Sequence, residues 1–277
     1  MTSVLQPAPV RTGGATALPA RTGFAAAYSA VVAGQLARAR LARVPLLFVA
    51  SFQSIGILLL LRGVVDDAST VTKQSVVAGA TVLVVAFVAL NLLAQRFGAL
   101  RAQGALDYYA ALPVPGSAVV LGTASSYATF AVPGSVVTAV TGCLLYGLPL
   151  GRLWVLAPVV VLAGASLAGV GALIGLLAPR PELATVAGQL GMSLVLFVGI
   201  IPRDRLPEAV QLLRAVVPAS YAVDALAETF RPHVRWGTVV LDLGVCAAVA
   251  VVALATSGWA LGLAVRGGRS RAGRIGG

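Results

Sequence analysis

Side chains able to do covalent or metal chemistry are few and scattered. The 277 residues hold nine carboxylates, one histidine and two cysteines. Cys143 and Cys246 each lie in an apolar run. Two lone thiols make neither a disulfide framework nor a zinc site, and they read as small buried hydrophobes. His233 stands in a loop with no partner at metal-ligand spacing. Lys73, the sole lysine, follows Val71-Thr72, so the Gly-x-x-x-x-Gly-Lys-Ser/Thr turn that cradles phosphates is missing. No nucleophile–base pair stands out. The expectation is no catalytic residue, no metal and no cofactor on this chain, so any energy source lies on another. Asp242 sits about six residues inside an apolar run, a depth of about 9 Å by helical rise. A charge within a membrane marks function by default. At that depth it also fits a shallow place beside the headgroups, paired with Arg235 or Arg231.

The elements that must position these residues are set by composition. The chain is 58% hydrophobic and 10% charged, with mean hydropathy +0.94. A soluble domain carries about 25% charged residues. There are too few polar side chains here to cover a globule in water, which excludes a soluble enzyme, a disordered chain and a fibrous repeat. The net charge of +11 comes from 19 Arg and one Lys against the nine acids. These cations fall singly or in small groups between apolar runs, unlike the clustered face of a nucleic-acid binder. No nucleic-acid partner is expected.

A membrane span needs about 20 apolar residues. Six runs qualify: Val44–Leu61, Ser75–Gln95, Ser117–Gly151, Leu153–Pro179, Leu183–Pro202 and Trp236–Val265. Pro133-Gly134 interrupts the third. Cutting there leaves two pieces too short to cross, so it stays one kinked span. The expected fold is all-α integral membrane with six transmembrane helices. With both termini cytoplasmic, 12 of the 20 cations fall inside, in the sense of the positive-inside rule. The outer excess is confined to the loop 203–235. Residues 1–22, rich in Ala, Gly, Thr and Pro, read as a disordered tail. No cleavable signal peptide is visible, and the first span is expected to serve as its own insertion signal. Residues 23–43 read as an N-terminal helix, either extending the first span or lying on the inner leaflet as an interfacial helix. The six spans occupy 44–266, and 267–277 form a basic cytoplasmic tail.

Two connections carry more pattern than a linker needs. The loop after the second span suggests a short helix from about Arg101 to Leu112, stopped by Pro113 and Pro115. Its adjacent Tyr108 and Tyr109 suit either a protein contact or the headgroup layer. The loop 203–235 holds apolar stretches too short to span, which suggests short re-entrant helices between spans five and six. Its five Arg are offset by Asp204, Glu208, Asp224 and Glu228.

Both connections carry a resemblance. The run Arg101-Ala102-Gln103-Gly104-Ala105-Leu106-Asp107, followed by Ala111-Leu112-Pro113-Val114, resembles the cytoplasmic loop of ABC-2-type exporter permeases, the drug, antibiotic or lipid exporter membrane subunits. Leu100 and Ala102 stand where that loop commonly has Glu, and Ala105 replaces Thr. Pro218-Ala219-Ser220-Tyr221, with Asp224-Ala225-Leu226, is similar to the family's motif before the last span. The resemblance implies coupling to an ATPase through Arg101, Gly104, Leu106 and Asp107, with Tyr108 and Tyr109 in the same helix. Pro218, Tyr221 and Asp224 mark the re-entrant motif. It also implies a multi-pass permease of a bacterial cell membrane, paired with a second permease copy and with an ABC ATP-binding subunit that carries the ATP. The substrate is expected to be apolar or amphipathic, because few charges line any span. Gln53, Asn91 and Tyr127 are the candidate path-lining residues. The alternatives are a secondary transporter or channel without an ATPase, or a structural membrane assembly factor. The lack of ionisable residues near the midplane weighs against ion coupling.

Overall fold

The computed structural model describes residues 23–38, 43–65, 69–105, 114–200, 211–212, 214 and 217–275. Every regular element among them is helical. In chain order these are α1 (Phe24–Arg38), α2 (Arg43–Val65), α3 (Thr70–Ala102), α4 (Gly116–Tyr146), α5 (Leu156–Leu177), α6 (Pro181–Ile200), α7 (Pro218–Thr229) and α8 (Trp236–Ile275). A 3₁₀ turn, Leu150–Val155, leads into α5. Helices α2 to α6 and α8 match the six apolar runs. Four stretches are long and apolar enough to cross a membrane: Thr70–Ala102, Gly116–Tyr146, Leu150–Leu177 and Trp236–Gly262. The apolar stretches found in α2 and α6, Ser51–Gly63 and Pro181–Phe197, are shorter.

Helix α3 is the axis of the bundle. Ser69 caps its start, its side chain accepting from the Thr72 N–H. From Val76 to Ala86 every residue is buried, with α2, α4, α6 and α7 packed around it. Such a helix, apolar all round, has no solvent face to present. Its 33 residues give a rod about 50 Å long. Within it, Phe87–Leu92 widen into a π-helical segment. Gly104 at φ 66° ends the rod, with the Gln103 N–H returning to the Ala99 carbonyl, as a left-handed glycine does past a helix terminus. This corrects the expected helix start at Arg101: that residue lies in the last turn of α3 rather than the first turn of a separate helix.

Helix α4 stays continuous through Pro133, as the single long third run requires. Its far end is pinned to α2 by the buried Tyr146 hydroxyl, which donates to the Leu58 carbonyl at 2.8 Å. Residues 39–42 of the expected N-terminal helix lie outside the described residues, and helix α1 packs on α4. Gly122 makes that approach possible, since a Cβ there would lie 2.8 Å from Val31 Cγ1. Helix α8 runs unbroken from Trp236 through Ile275, across the boundary at 266.

Candidate coupling and transport site

The Ala102 end of α3 holds the first group of expected residues. Arg101 is itself exposed, yet its guanidinium donates to the Leu176 carbonyl in the last turn of α5. A cation at a helix C-terminus also meets the negative end of the helix dipole. Gly98 lies against the start of α6, where a Cβ would meet Ala184 Cβ at 2.7 Å. Three helices are therefore tied together beside Gly104. Leu106, Asp107, Tyr108 and Tyr109 lie outside the described residues.

About two and a half turns along α3 from Arg101 lies the π-helical segment. Widening by one residue breaks the regular carbonyl ladder, and such insertions recur at functional sites. Helix α5 meets it with glycines. A Cβ on Gly171 would stand 2.5 Å from the Leu90 carbonyl oxygen, and one on Gly175 2.5 Å from that of Ala94. The Gly171-x-x-x-Gly175 stripe is thus where the backbones of α3 and α5 touch. Asn91, in the same segment, is 1% exposed. Its Oδ1 accepts from Gln95 Nε2 at 3.0 Å. Among the described residues its Nδ2 has no hydrogen-bond partner, which is costly for a buried donor. Gly188 on α6 leaves room for this amide, since a Cβ there would lie 2.8 Å from Oδ1. The other path candidates lie elsewhere. Tyr127 on α4 meets Phe130 edge-on at 6.1 Å between centroids, and Gln53 on α2 is half-buried. Asn91 therefore faces α6, whereas Tyr127 packs against Val84 and Val88 of α3 together with Phe130 of its own helix.

At the Thr70 end sits α7, the short helix expected before the last span. Pro218 opens it, a position where the absent N–H costs nothing. Ala219, Ala222, Val223, Ala225 and Leu226 are fully or almost fully buried against α3, α5, α6 and α8. Tyr221 is half-buried in the same core. Asp224 pairs with Arg214, and Glu228 pairs with Arg235 at 2.9 Å and with Arg231 at 3.2 Å. These pairs account for the charges among the described residues of the loop 203–235, whereas Arg203, Asp204, Arg205 and Glu208 lie outside the described residues. Arg231 and Arg235 thus pair with Glu228, while Asp242, 7% exposed, lines the same polar cleft of about 180 Å³ with Gln74. The hydrogen bond from Arg235, helped by the charge of Arg231 and opposed by burial, holds the Glu228 carboxyl below its ordinary pKa.

Two further contacts clasp this end. Arg152 donates to the carbonyls of Arg231 at 2.6 Å, Thr229 at 3.3 Å and Pro232 at 3.4 Å. Trp154 stacks on Trp236 at 5.6 Å. Sequence reading passed over Arg152. Its signal was weak: a single cation between two apolar runs. The π-helical segment left no signal at all, because its residues are ordinary span residues.

The family model described as ABC-2 type transporter matches residues 28–230. The chain belongs to that family. It is a permease component of an ABC-type transporter and a multi-pass membrane protein. No curated protein matches it. The match runs from α1 through α7, so the permease fold of the family takes in the Arg101 end, the π-helical segment and the short helix together. Permeases of this family generally work with an ABC ATP-binding subunit.

Proposed function

We propose that this permease is the membrane subunit of an ATP-driven exporter. It would move an apolar or amphipathic substrate, such as a drug, an antibiotic or a lipid, outward across a bacterial cell membrane. Helices α2 to α6 and α8 make six spans, with both termini and the Gly104 turn on the cytoplasmic side. A separate ATP-binding subunit docks on the segment from Arg101 to Tyr109, and a second permease copy completes the path. The observation that carries this reading is the single rod of α3. It joins the loop that resembles a coupling segment to the short helix α7 at the other face.

The mechanism follows from rigidity and packing. ATP binds on the partner, and closure of the partner subunits displaces the loop at the Ala102 end. Arg101, bonded to the end of α5, and Gly98, seated on α6, pass that displacement to two neighbouring helices. The π-helical segment is where α3 accommodates it, because the carbonyl ladder is already interrupted there. Asn91 is the polar handle for a substrate when α6 separates from α3, exchanging an unmet hydrogen bond for one to the ligand. The clasp of Arg152, Glu228, Arg231 and Arg235 around α7 closes the outer end.

The test is transport in inside-out vesicles that contain the permease and its ATP-binding subunit. ATP-dependent uptake of an amphipathic fluorescent substrate is expected. Uptake driven by an ion gradient without the ATP-binding subunit contradicts the proposal. Cysteine labelling at positions 67 and 270 tests the topology, and labelling of both from one side overturns the six-span frame.

A further inference from the structure

Helix α6 meets the α3 rod through small residues from one end of the membrane to the other. A Cβ on Gly98 of α3 would stand 2.7 Å from Ala184 Cβ. One on Gly191 of α6 would stand 2.8 Å from Leu90 Cδ2, and one on Gly79 of α3 2.7 Å from the Gly199 carbonyl oxygen. Numbers rise on one helix as they fall on the other, so the two run antiparallel. From Gly79 to Gly98 this seam covers about 28 Å of helix, against about 30 Å for a hydrocarbon core. Its far end reaches α7, where a Cβ on Gly199 would lie 3.4 Å from Val223 Cγ2. Small residues alone make only a close packing surface.

Asn91 makes this surface selective. Its amide, 1% exposed, lies at Gly188 within the seam, and its hydrogen-bonding capacity is used unequally. Oδ1 accepts from Gln95 Nε2 at 3.0 Å and is covered by Gly188. Nδ2 carries two N–H groups, and among the described residues neither has an acceptor. Thr81, farther along α3, donates to the Val77 carbonyl of its own helix at 2.7 Å. The seam therefore offers a donor and calls for an acceptor. The acceptor must also be uncharged. Helix α3 has no charge from Gln74 to Gln95, and α6 has none after Glu182. The next cation, Arg96, stands near Tyr127 of α4. A carboxylate drawn in at Asn91 would lack a counter-charge, which is costly in an apolar setting. We infer that the α3–α6 seam passes amphipathic substrates whose apolar part carries a neutral acceptor, an ester or ketone oxygen that takes the Asn91 Nδ2 hydrogen bond. This substrate class deepens the exporter reading and rests on it.

Two pyrene-tailed trimethylammonium amphiphiles test it, identical except at one mid-chain position. One carries a ketone there, and the other an exomethylene group of the same shape that accepts no hydrogen bond. Uptake is followed in inside-out vesicles that contain the full-length permease and its ATP-binding subunit. The parent complex is expected to take up the ketone with a kcat/KM about tenfold above that of the alkene, equivalent to about 1.4 kcal/mol. In the double variant Asn91→Leu, Gln95→Leu the ketone is expected to fall to the alkene rate, with the unfolding midpoint showing that the fold is kept. Equal ATP-dependent uptake of both compounds by the parent complex, or faster uptake of the alkene, overturns the substrate class and leaves the exporter reading standing. A tenfold preference retained by the folded double variant overturns the assignment to Asn91. ATP-dependent uptake of neither compound overturns the exporter reading and the substrate class together.

Discussion

The buried side chain of Gln74 on α3 donates a hydrogen bond to the Phe230 carbonyl, 3.1 Å away at the end of α7. The axial rod and the short helix are therefore one mechanical unit at the end opposite Arg101. Substituting Gln74→Leu leaves the Phe230 carbonyl without this donor and lowers stability by about 1–3 kcal/mol. A thermal unfolding series in detergent checks this. Transport is expected to fall further than binding of the ATP-binding subunit, because the lesion is far from the docking loop.

The contact of α5 with the π-helical segment tolerates no side chain. Gly171→Ala places a methyl group 2.5 Å from the Leu90 carbonyl oxygen and forces the helices apart, at a cost of about 1–3 kcal/mol. Gly237→Ala, where nothing lies within 4 Å, is the neutral control. Unfolding midpoints of the two variants should separate clearly.

Asn91 and Gln95 form an amide pair with one buried donor unmet among the described residues. Replacing both partners by apolar groups of similar shape is close to neutral or stabilising. The double variant Asn91→Leu, Gln95→Leu is therefore expected to fold at least as stably as the parent protein while losing transport. Full transport by a stable double variant removes Asn91 from the path.

Much of this arrangement was legible in the residues. Apolar runs between cations gave six helices, because a backbone in hydrocarbon must satisfy its own hydrogen bonds. Pro133 lies inside one continuous helix, as its run length required, and the Pro218 segment forms a short buried helix. The end of α3 was misplaced, since Gly104 reads equally as part of a helix or as its left-handed stop until its φ is known. Asp242 was paired in sequence with its near neighbours Arg231 and Arg235. Both arginines bond Glu228, seven residues or fewer away across a turn, and Arg235 also feels the charge of Asp242. Packing features such as Gly171 on Leu90 depend on which helices meet, and no local pattern carries that.

The clasp around α7 has a pH dependence of known sign. The folded pKa of Glu228 lies below its ordinary value because Arg235 bonds the carboxylate. Its stabilisation is thus present in full above the ordinary carboxylate pKa and is lost as pH falls through the lower folded value. Unfolding midpoints measured from neutral to acid pH should show this loss in the parent protein. In Glu228→Gln the neutral-pH value is already lowered and the acid-side slope is reduced.

The most direct test of the coupling claim is to replace residues 101–109 by a Gly/Ser loop of equal length. Co-purification of the ATP-binding subunit and its ATPase activity are then measured beside the parent complex. The account predicts that the variant permease still folds, with an unchanged oligomeric profile, but no longer retains the ATP-binding subunit or stimulates its ATPase. Retention of both at parent levels would contradict it.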